Sequence, residues 1–492
     1  MSLFAIAVSS LTIDLDLIDL DLTDTDRQGS EHGLVKFTRL TLFPFFMSFF
    51  LSTLLLAQAS PVAATSEVVM PQEVRALPGK LDQFPVFNSN SPEVVKTEGI
   101  LLSTFPGKGK SQPQAHLNYA LSGRFDVFAH HVTRIDSKQG KRPLYLGVLL
   151  HNPTSKPAKV LVLQANSYLS QADAPFVDLP AHSADQGGKI YSGPGSRTAG
   201  DVLRRKRQKG WATNLVIPPG QSKMLVNLQL PPSNSRTTWL RLWTNGKLYA
   251  ASMTRHARSP SKWKFQAPLL EDWKQTLAKG NLVSPRDQAP TPPDSDVEKF
   301  LYGRVAGVSK GSEWKATIAN KPGADSLDIP KPGEAFSYVI NSLDRGTLGT
   351  GQIQSAPMLV RYDDTAYKSH GNYGLRYKLA LPLKNDTDEP QKVTLSMQTP
   401  IKEDELADKG LRFLKSPSGP AFFRGTLKLS YTDDAGKSQR RFFHLVQRRG
   451  ERGKALLTLP IPPKKKQLVN VEFLYPADST PPQVLTIRTI DP

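Results

Sequence analysis

Two cationic runs are the residues of this chain best suited to chemistry. The first is Arg204, Arg205, Lys206, Arg207 and Lys209, followed by Trp211; the second is Arg448, Arg449, Arg452 and Lys454. Clustered positive charges repel one another, so a loop that carries them gains from an anionic partner. Arginine forks hold carboxylate, sulfate or phosphate through paired N–H donors, and an indole face stacks on a sugar ring. These ten residues form the candidate ligand-binding set. Acidic polysaccharide and lipid headgroups are the expected ligands. Nucleic acid would suit the charge, but export, argued below, removes the supply.

Other constellations fall short of chemistry. Gly109-Lys110-Ser111 ends like a phosphate loop, but Thr104 stands where the pattern needs its first glycine. Gly193-Pro194-Gly195 with Gly200 resembles a dinucleotide loop, yet proline separates the glycines and no strand–helix unit is evident, so a turn-rich surface loop is expected. His130 and His131 are adjacent, which on a strand sends them to opposite faces. With His116 and His151 they read as hydrogen-bonded sheet histidines. The pairs Asp363-Asp364 and Asp433-Asp434 sit in turn-like contexts, where aspartate bonds to backbone. No Gly-x-Ser-x-Gly elbow and no His-Glu-x-x-His motif occurs. No catalytic residue, metal ligand or cofactor is assigned.

The elements that position the cationic runs are β-strands. The 492 residues contain 40 prolines, which favours short strands and turns over long helices, and no cysteine, which excludes disulfides and thiol chemistry. Strand signals lie at 118–135, 144–151, 158–165, 223–230 and 239–244. A hairpin is expected from 425–431 and 440–447, turned by Asp433, Asp434 and Gly436. One helix is expected at 268–279, closed by Gly280, and a short second one near 401–409.

The strand grammar repeats. LGVLLHNPTSKPAKV (146–160) and LALPLKNDTDEPQKV (379–393) match at seven of fifteen positions, among them Asn152/Asn385 and Thr154/Thr387. Ile217-Pro218-Pro219 and Ile461-Pro462-Pro463 each lead to a Leu-Val-Asn. Both cationic runs precede that Ile-Pro-Pro step, so they are expected at equivalent places in two copies of one unit. The fold class expected is all-β: two tandem β-sandwich, immunoglobulin-like domains joined through one short helix.

The amino-terminal region has another composition. Lys36 and Arg39 precede an apolar run from Leu40 to Ala57, and small residues follow at Ala57-Gln58-Ala59 and Val62-Ala63-Ala64. This is the layout of a secretory signal peptide at 34–64, with an uncleaved anchor as the rival. Acid-rich residues 1–33 are expected to be a spurious or disordered extension. No second spanning run follows. Residues 1–64 hold seven acids and three bases; without them the formal charge rises from +19 to +23. The remaining organisation is an extended segment at 65–98, a first sandwich at 99–283, a proline-rich linker at 284–297 and a second sandwich at 298–492.

Four segments carry a resemblance: residues 71–107, 121–134 (LSGRFDVFAHHVTR), 190–204 (IYSGPGSRTAGDVLR) and 423–450. Over nearly all of 70–492 the chain resembles a cyanobacterial family of exported proteins grouped only as a domain of unknown function. The resemblance implies a periplasmic, outer-envelope or extracellular setting and carries over no catalytic residue. The expected function is binding of anionic glycans or lipid headgroups without catalysis. The alternatives are an assembly protein that contacts envelope proteins through sheet edges, and a glycan-modifying enzyme with two carboxylates across a cleft.

Overall fold

The two segments matched in sequence each enter a similar four-strand pairing, the first interrupted by a bulge between Met224 and Val226 that the second lacks. In the first copy, Leu144–His151 pairs with Ser222–Leu230, and Ala158–Leu169 pairs with Asn214–Ile217. In the second, Arg376–Lys384 pairs with Lys466–Leu474, and Gln391–Gln398 pairs with Leu457–Ile461. Ile217 lies opposite Ala158 as Ile461 lies opposite Gln391. The chain is described by a computed structural model over residues 66–134, 142–261, 264–406, 408, 410–433 and 435–491. The expected signal peptide at 34–64 and the extension at 1–33 lie outside these residues.

A buried asparagine fixes each copy's turn. The Asn152 side chain donates to Ile217 O (2.9 Å) and Lys156 O (2.7 Å), and its Oδ1 accepts from the Thr154 N–H (3.0 Å) and hydroxyl (2.7 Å). Asn385 donates to Ile461 O (2.9 Å) and Glu389 O (2.8 Å), and accepts from the Thr387 N–H (3.0 Å) and hydroxyl (2.7 Å). Buried backbone carbonyls need such partners, and one amide satisfies several.

One bent strand makes the first sandwich. Ser235–His256 pairs through residues 235–244 and 248 with Leu121–Thr133 and, over 236–244, with Ala158–Leu169. Past the irregularity at 244–248 it pairs with Leu144–His151 and Gly99–Ser103. Alternation sends Val148, Leu150, Val160, Leu240 and Leu242 into one core between the layers. The second copy encloses a larger core around Tyr377, Phe473, Leu427 and Leu459.

The sheets cross the proline-rich stretch in both directions. Ala306–Lys310 pairs with Pro85–Ser89 and extends the first copy's sheet, while Lys80–Leu81 pairs with Glu313–Thr317 in the second copy's. His182–Ala184 likewise joins Ser438–Arg448, and Glu67–Pro71 pairs with Gly410–Leu414. Residues 66–98 of the segment expected only as extended therefore supply short strands to several sheets. Thr65–Pro492 clusters as one compact unit.

The helix Leu270–Lys279 forms as expected, with Trp273 and Leu277 buried against the outer face of the first sandwich. The surface loop expected at Gly193-Pro194-Gly195 is instead the start of a helix, Pro194–Leu203, with nine of its ten residues buried. Proline at the first position presets the helical φ. Gly195 is required by closeness: a Cβ there would lie 2.5 Å from Asp478 Oδ2. The second short helix expected near 401–409 is absent from 401–406, which are loop; 407 and 409 lie outside the described residues. The hairpin Ala421–Thr432/Ser438–Arg448 forms, and Asp433 Oδ1 accepts from the Lys437 N–H at 2.8 Å. Asp434 lies outside the described residues.

Candidate cationic surface

The first cationic run leaves the helix Pro194–Leu203 and lies along the strand Ala158–Leu169, where Gln208 N–H donates to Ala165 O at 3.1 Å. Three of its members face inward. Arg204 is an ion pair with Asp185 at 2.7 Å, both side chains nearly covered, and its guanidinium lies 4.4 Å from the Phe442 ring centre. Burial lowers the Arg204 pKa. Arg207 donates to Val162 O (2.8 Å) and Ala212 O (2.7 Å). Trp211 packs on the first core, and its indole N–H donates to Gln208 Oε1 at 3.2 Å. These three candidates hold the loop down instead of offering themselves to a ligand. Arginine suits this because one fork can satisfy several carbonyls.

The other members face solvent. Arg205 and Lys209 are exposed; Lys206 is half-exposed, 3.7 Å from Asp201. In the second run Arg448 donates to Gly419 O at 3.0 Å, and Arg449, Arg452 and Lys454 are exposed. This run lies beside the end of Gln391–Gln398, where Thr399 N–H donates to Glu451 O at 3.0 Å. Both runs therefore border the second strand of their own copy.

A larger cationic feature was missed by reading short runs. Between Asp201 and Glu271 the chain has no carboxylate and thirteen lysines and arginines; between Asp136 and Asp173 it again has none. These two segments supply Leu144–His151, Ala158–Leu169, Asn214–Ile217, Ser222–Leu230 and Ser235–His256, so five neighbouring strands carry no acid of their own. A count of acids along the chain would have found it. The copies differ sharply here. The second copy's turn carries Asp386, Asp388 and Glu389, with Lys384 on Asp386 at 2.9 Å and Lys464 on Asp388 at 3.2 Å. The first copy's matching turn carries Pro153, Ser155 and Lys156. Lys156, Lys159, Lys223 and Lys247 are exposed and form no ion pair among the described residues.

His116, His130 and His131 are buried. His131 Nδ1 donates to Pro92 O at 2.9 Å, and its Nε2 lies 3.0 Å from Ser89 Oγ. His116 Nδ1 lies 2.7 Å from Ser103 Oγ, and His130 Nδ1 lies 2.8 Å from Thr237 Oγ1. Among the described residues no trio of His, Asp and Glu is placed to hold a metal ion, and no helix is long and apolar enough to cross a membrane. A small depression, with room for about one water, is lined by Asn88, Trp239, Asn372 and Asp126. Asp126 in it is held by Arg241 at 2.8 Å. A second depression of similar size is walled by Phe300, Tyr302, Tyr367 and His370.

A family model described as a protein of unknown function, DUF3370, matches residues 72–489. No curated protein matches the chain. Among solved structures, Lac15 from a marine microbial metagenome is 8% identical over 75% of this chain, with a TM-score of 0.09, and the match spans 56% of Lac15. The 11S allergen of Cocos nucifera L. is 10% identical over 81% of this chain and 90% of its own, TM-score 0.10. An oxalate decarboxylase of B. subtilis is 11% identical over 72% of this chain and 70% of its own, TM-score 0.09. Scores this low give these likenesses no structural weight.

Proposed function

The chain belongs to the DUF3370 family of proteins of unknown function, and from that premise we propose that it is an exported, non-catalytic envelope or extracellular protein that binds anionic polymers. The shared ligand chemistry is repeated carboxylate, sulfate or phosphate, as in acidic glycans and lipid headgroups. The observation that carries this reading is the acid-free set of strands in the first copy, whose exposed cations have no internal counter-charge. A surface of one sign attracts polyanions over a Debye length of about 8–10 Å. The layout of residues 34–64 supports export.

The test is retention of residues 65–492 on an immobilised sulfated polysaccharide, with neutral polysaccharide as control. Anionic and zwitterionic vesicles separate a lipid source from a glycan source. Retention is expected to fall steeply with salt. Replacing Arg205, Lys209, Arg449, Arg452 and Lys454 by Gln is expected to weaken it about tenfold, taking roughly 1 kcal/mol per surface cation as the upper scale. Equal retention on neutral and sulfated matrices would sink the reading.

A second observation favours assembly through a sheet edge. Asn214–Ile217 is the outermost strand of its sheet. Val162 N–H donates to Thr213 O at 2.9 Å, so by antiparallel alternation Leu215 and Ile217 bond inward while Asn214 and Val216 turn their backbone groups outward. In the second copy the residue at Val216's register position is Pro460, whose missing N–H blunts that edge. Val216 is 46% exposed. On this reading, Val216→Pro abolishes a salt-resistant complex with an envelope protein that the wild-type chain forms; an unchanged complex rules the edge out.

A further inference from the structure

We infer that the ligand site of the first copy is the lysine-ringed end of its sandwich, formed by Lys156, Lys159, Lys223 and Lys247, and that it takes an acidic polysaccharide chain; this rests on the anionic-polymer reading above. Three turns meet at this end. Asn152 links two of them: its side chain donates to Ile217 O and Lys156 O, and its carbonyl accepts from Gly220 N–H at 2.9 Å. The third is tied in by Lys159 N–H, which donates to Asn245 Oδ1 at 2.7 Å. Lys223 lies opposite Leu150, one residue before the end of its partner strand, and Lys247 lies two residues past Asn245. The four ammonium groups therefore project from neighbouring backbone positions.

The second copy is the internal control. Its turn has the same asparagine hydrogen bonds, matched to within 0.1 Å, so the scaffold is common to both. The charge differs around it, although Lys159 has an exposed counterpart in Lys392. Asp386 pairs there with Lys384 and Asp388 with Lys464, and Lys466 is paired with Asp325. Where the copies share the turn's geometry but not its charge, the turn does not require the uncompensated Lys156 of the first.

The same end favours a sugar over an isolated headgroup. Tyr249 and His151 are paired across adjacent strands and both are partly exposed. Phe105 lies behind them, 5.6 Å from Tyr249 and 5.5 Å from His151. Lys110 stands over Phe105 at 5.4 Å. Burial, with Lys110 and Lys274 adding to it, lowers the His151 pKa. Rings beside cations offer a pyranose a stacking face and its carboxylate or sulfate a counter-charge. Lysines spread over several strands suit successive units of a chain better than one headgroup.

The experiment compares three proteins on dextran sulfate and polygalacturonate: wild type, a variant with Lys156→Gln, Lys159→Gln, Lys223→Gln and Lys247→Gln, and a control with Lys384→Gln and Lys464→Gln. Folding is checked by denaturation midpoint. The first variant is expected to bind at least tenfold more weakly, and the control within twofold of wild type. Lysine acetylation followed by mass spectrometry should show Lys156, Lys159, Lys223 and Lys247 protected by polygalacturonate. Wild-type retention with an unaffected quadruple variant overturns this site and leaves the broader reading standing. Binding to anionic vesicles without binding to either polysaccharide overturns the glycan assignment. Absence of wild-type retention on every anionic matrix overturns the broader reading and this site with it.

Discussion

Acidification from pH 7 to pH 5 is expected to destabilise the folded chain by about 2 kcal/mol for each of three buried histidines. Burial depresses His116 to about 4, with Lys110 adding to it, His131 to about 3 and His444 to about 4. All three are less than a tenth exposed. An unfolded histidine binds a proton near pH 6.5, whereas these bind one only well below that. Between those values the unfolded chain holds the extra protons. The stabilisation is thus complete above pH 6.5 and is lost as pH falls toward 4. Three such groups represent a large part of the roughly 5–15 kcal/mol that holds a typical domain folded. Urea denaturation of residues 65–492 at pH 7.5, 6 and 5 measures it. His444→Gln should remove about one third of the pH dependence. A midpoint flat from pH 7 to 5 would show that the rings are protonated in the folded state.

Trp239→Ala is expected to lower stability by about 3–5 kcal/mol, the usual range for emptying a large aromatic site. The side chain is 2% exposed, and its indole N–H donates to Gly374 O at 3.1 Å. Around it lie Phe128 and the helix residues Val202 and Leu203 from one side of residues 284–297, and Phe442 and Leu474 from the other. Gly374 has φ +80°, and a Cβ there would lie 2.8 Å from the Trp239 ring. This cluster joins both copies, so the substitution should move one common unfolding transition. Two transitions, of which Trp239→Ala shifts only one, would show that the copies unfold independently. Trp239→Phe should retain most of the stability and leave the Gly374 carbonyl unpaired, at about 1–3 kcal/mol.

What the sequence shows and what it hides follow from the range of each interaction. Leu144–His151, Ser222–Leu230 and the Ala421–Thr432 hairpin are legible because alternation and turn residues are local signals. The asparagine turns are legible because the chain states them twice. Glu73–Arg75 and Lys80–Leu81 are not, since two or three residues carry no period and their partners lie more than 200 residues away. The helix Pro194–Leu203 is hidden by Gly195, Gly200 and Ser196, poor helix formers that tertiary packing holds in place. Arg204 reads as free because Asp185 and Phe442 are remote in sequence. The acid-free strands were open to simple counting, because net charge is a property of composition and needs no contact map.

The ladders that cross residues 284–297 also set an order of events. A polypeptide leaves a ribosome or a translocation pore amino end first. Glu67–Pro71 then waits for Gly410–Leu414, and Pro85–Ser89 waits for Ala306–Lys310. At synthesis rates of about 5–20 residues per second, the first of these delays is roughly 20–70 s. Throughout it the early strands expose unpaired edges, and non-local pairing of this kind is slow even once both partners are present. Most of the molecule must therefore be delivered before its first strand has a place to go, and chaperone protection of the nascent amino-terminal strands is part of what this topology demands.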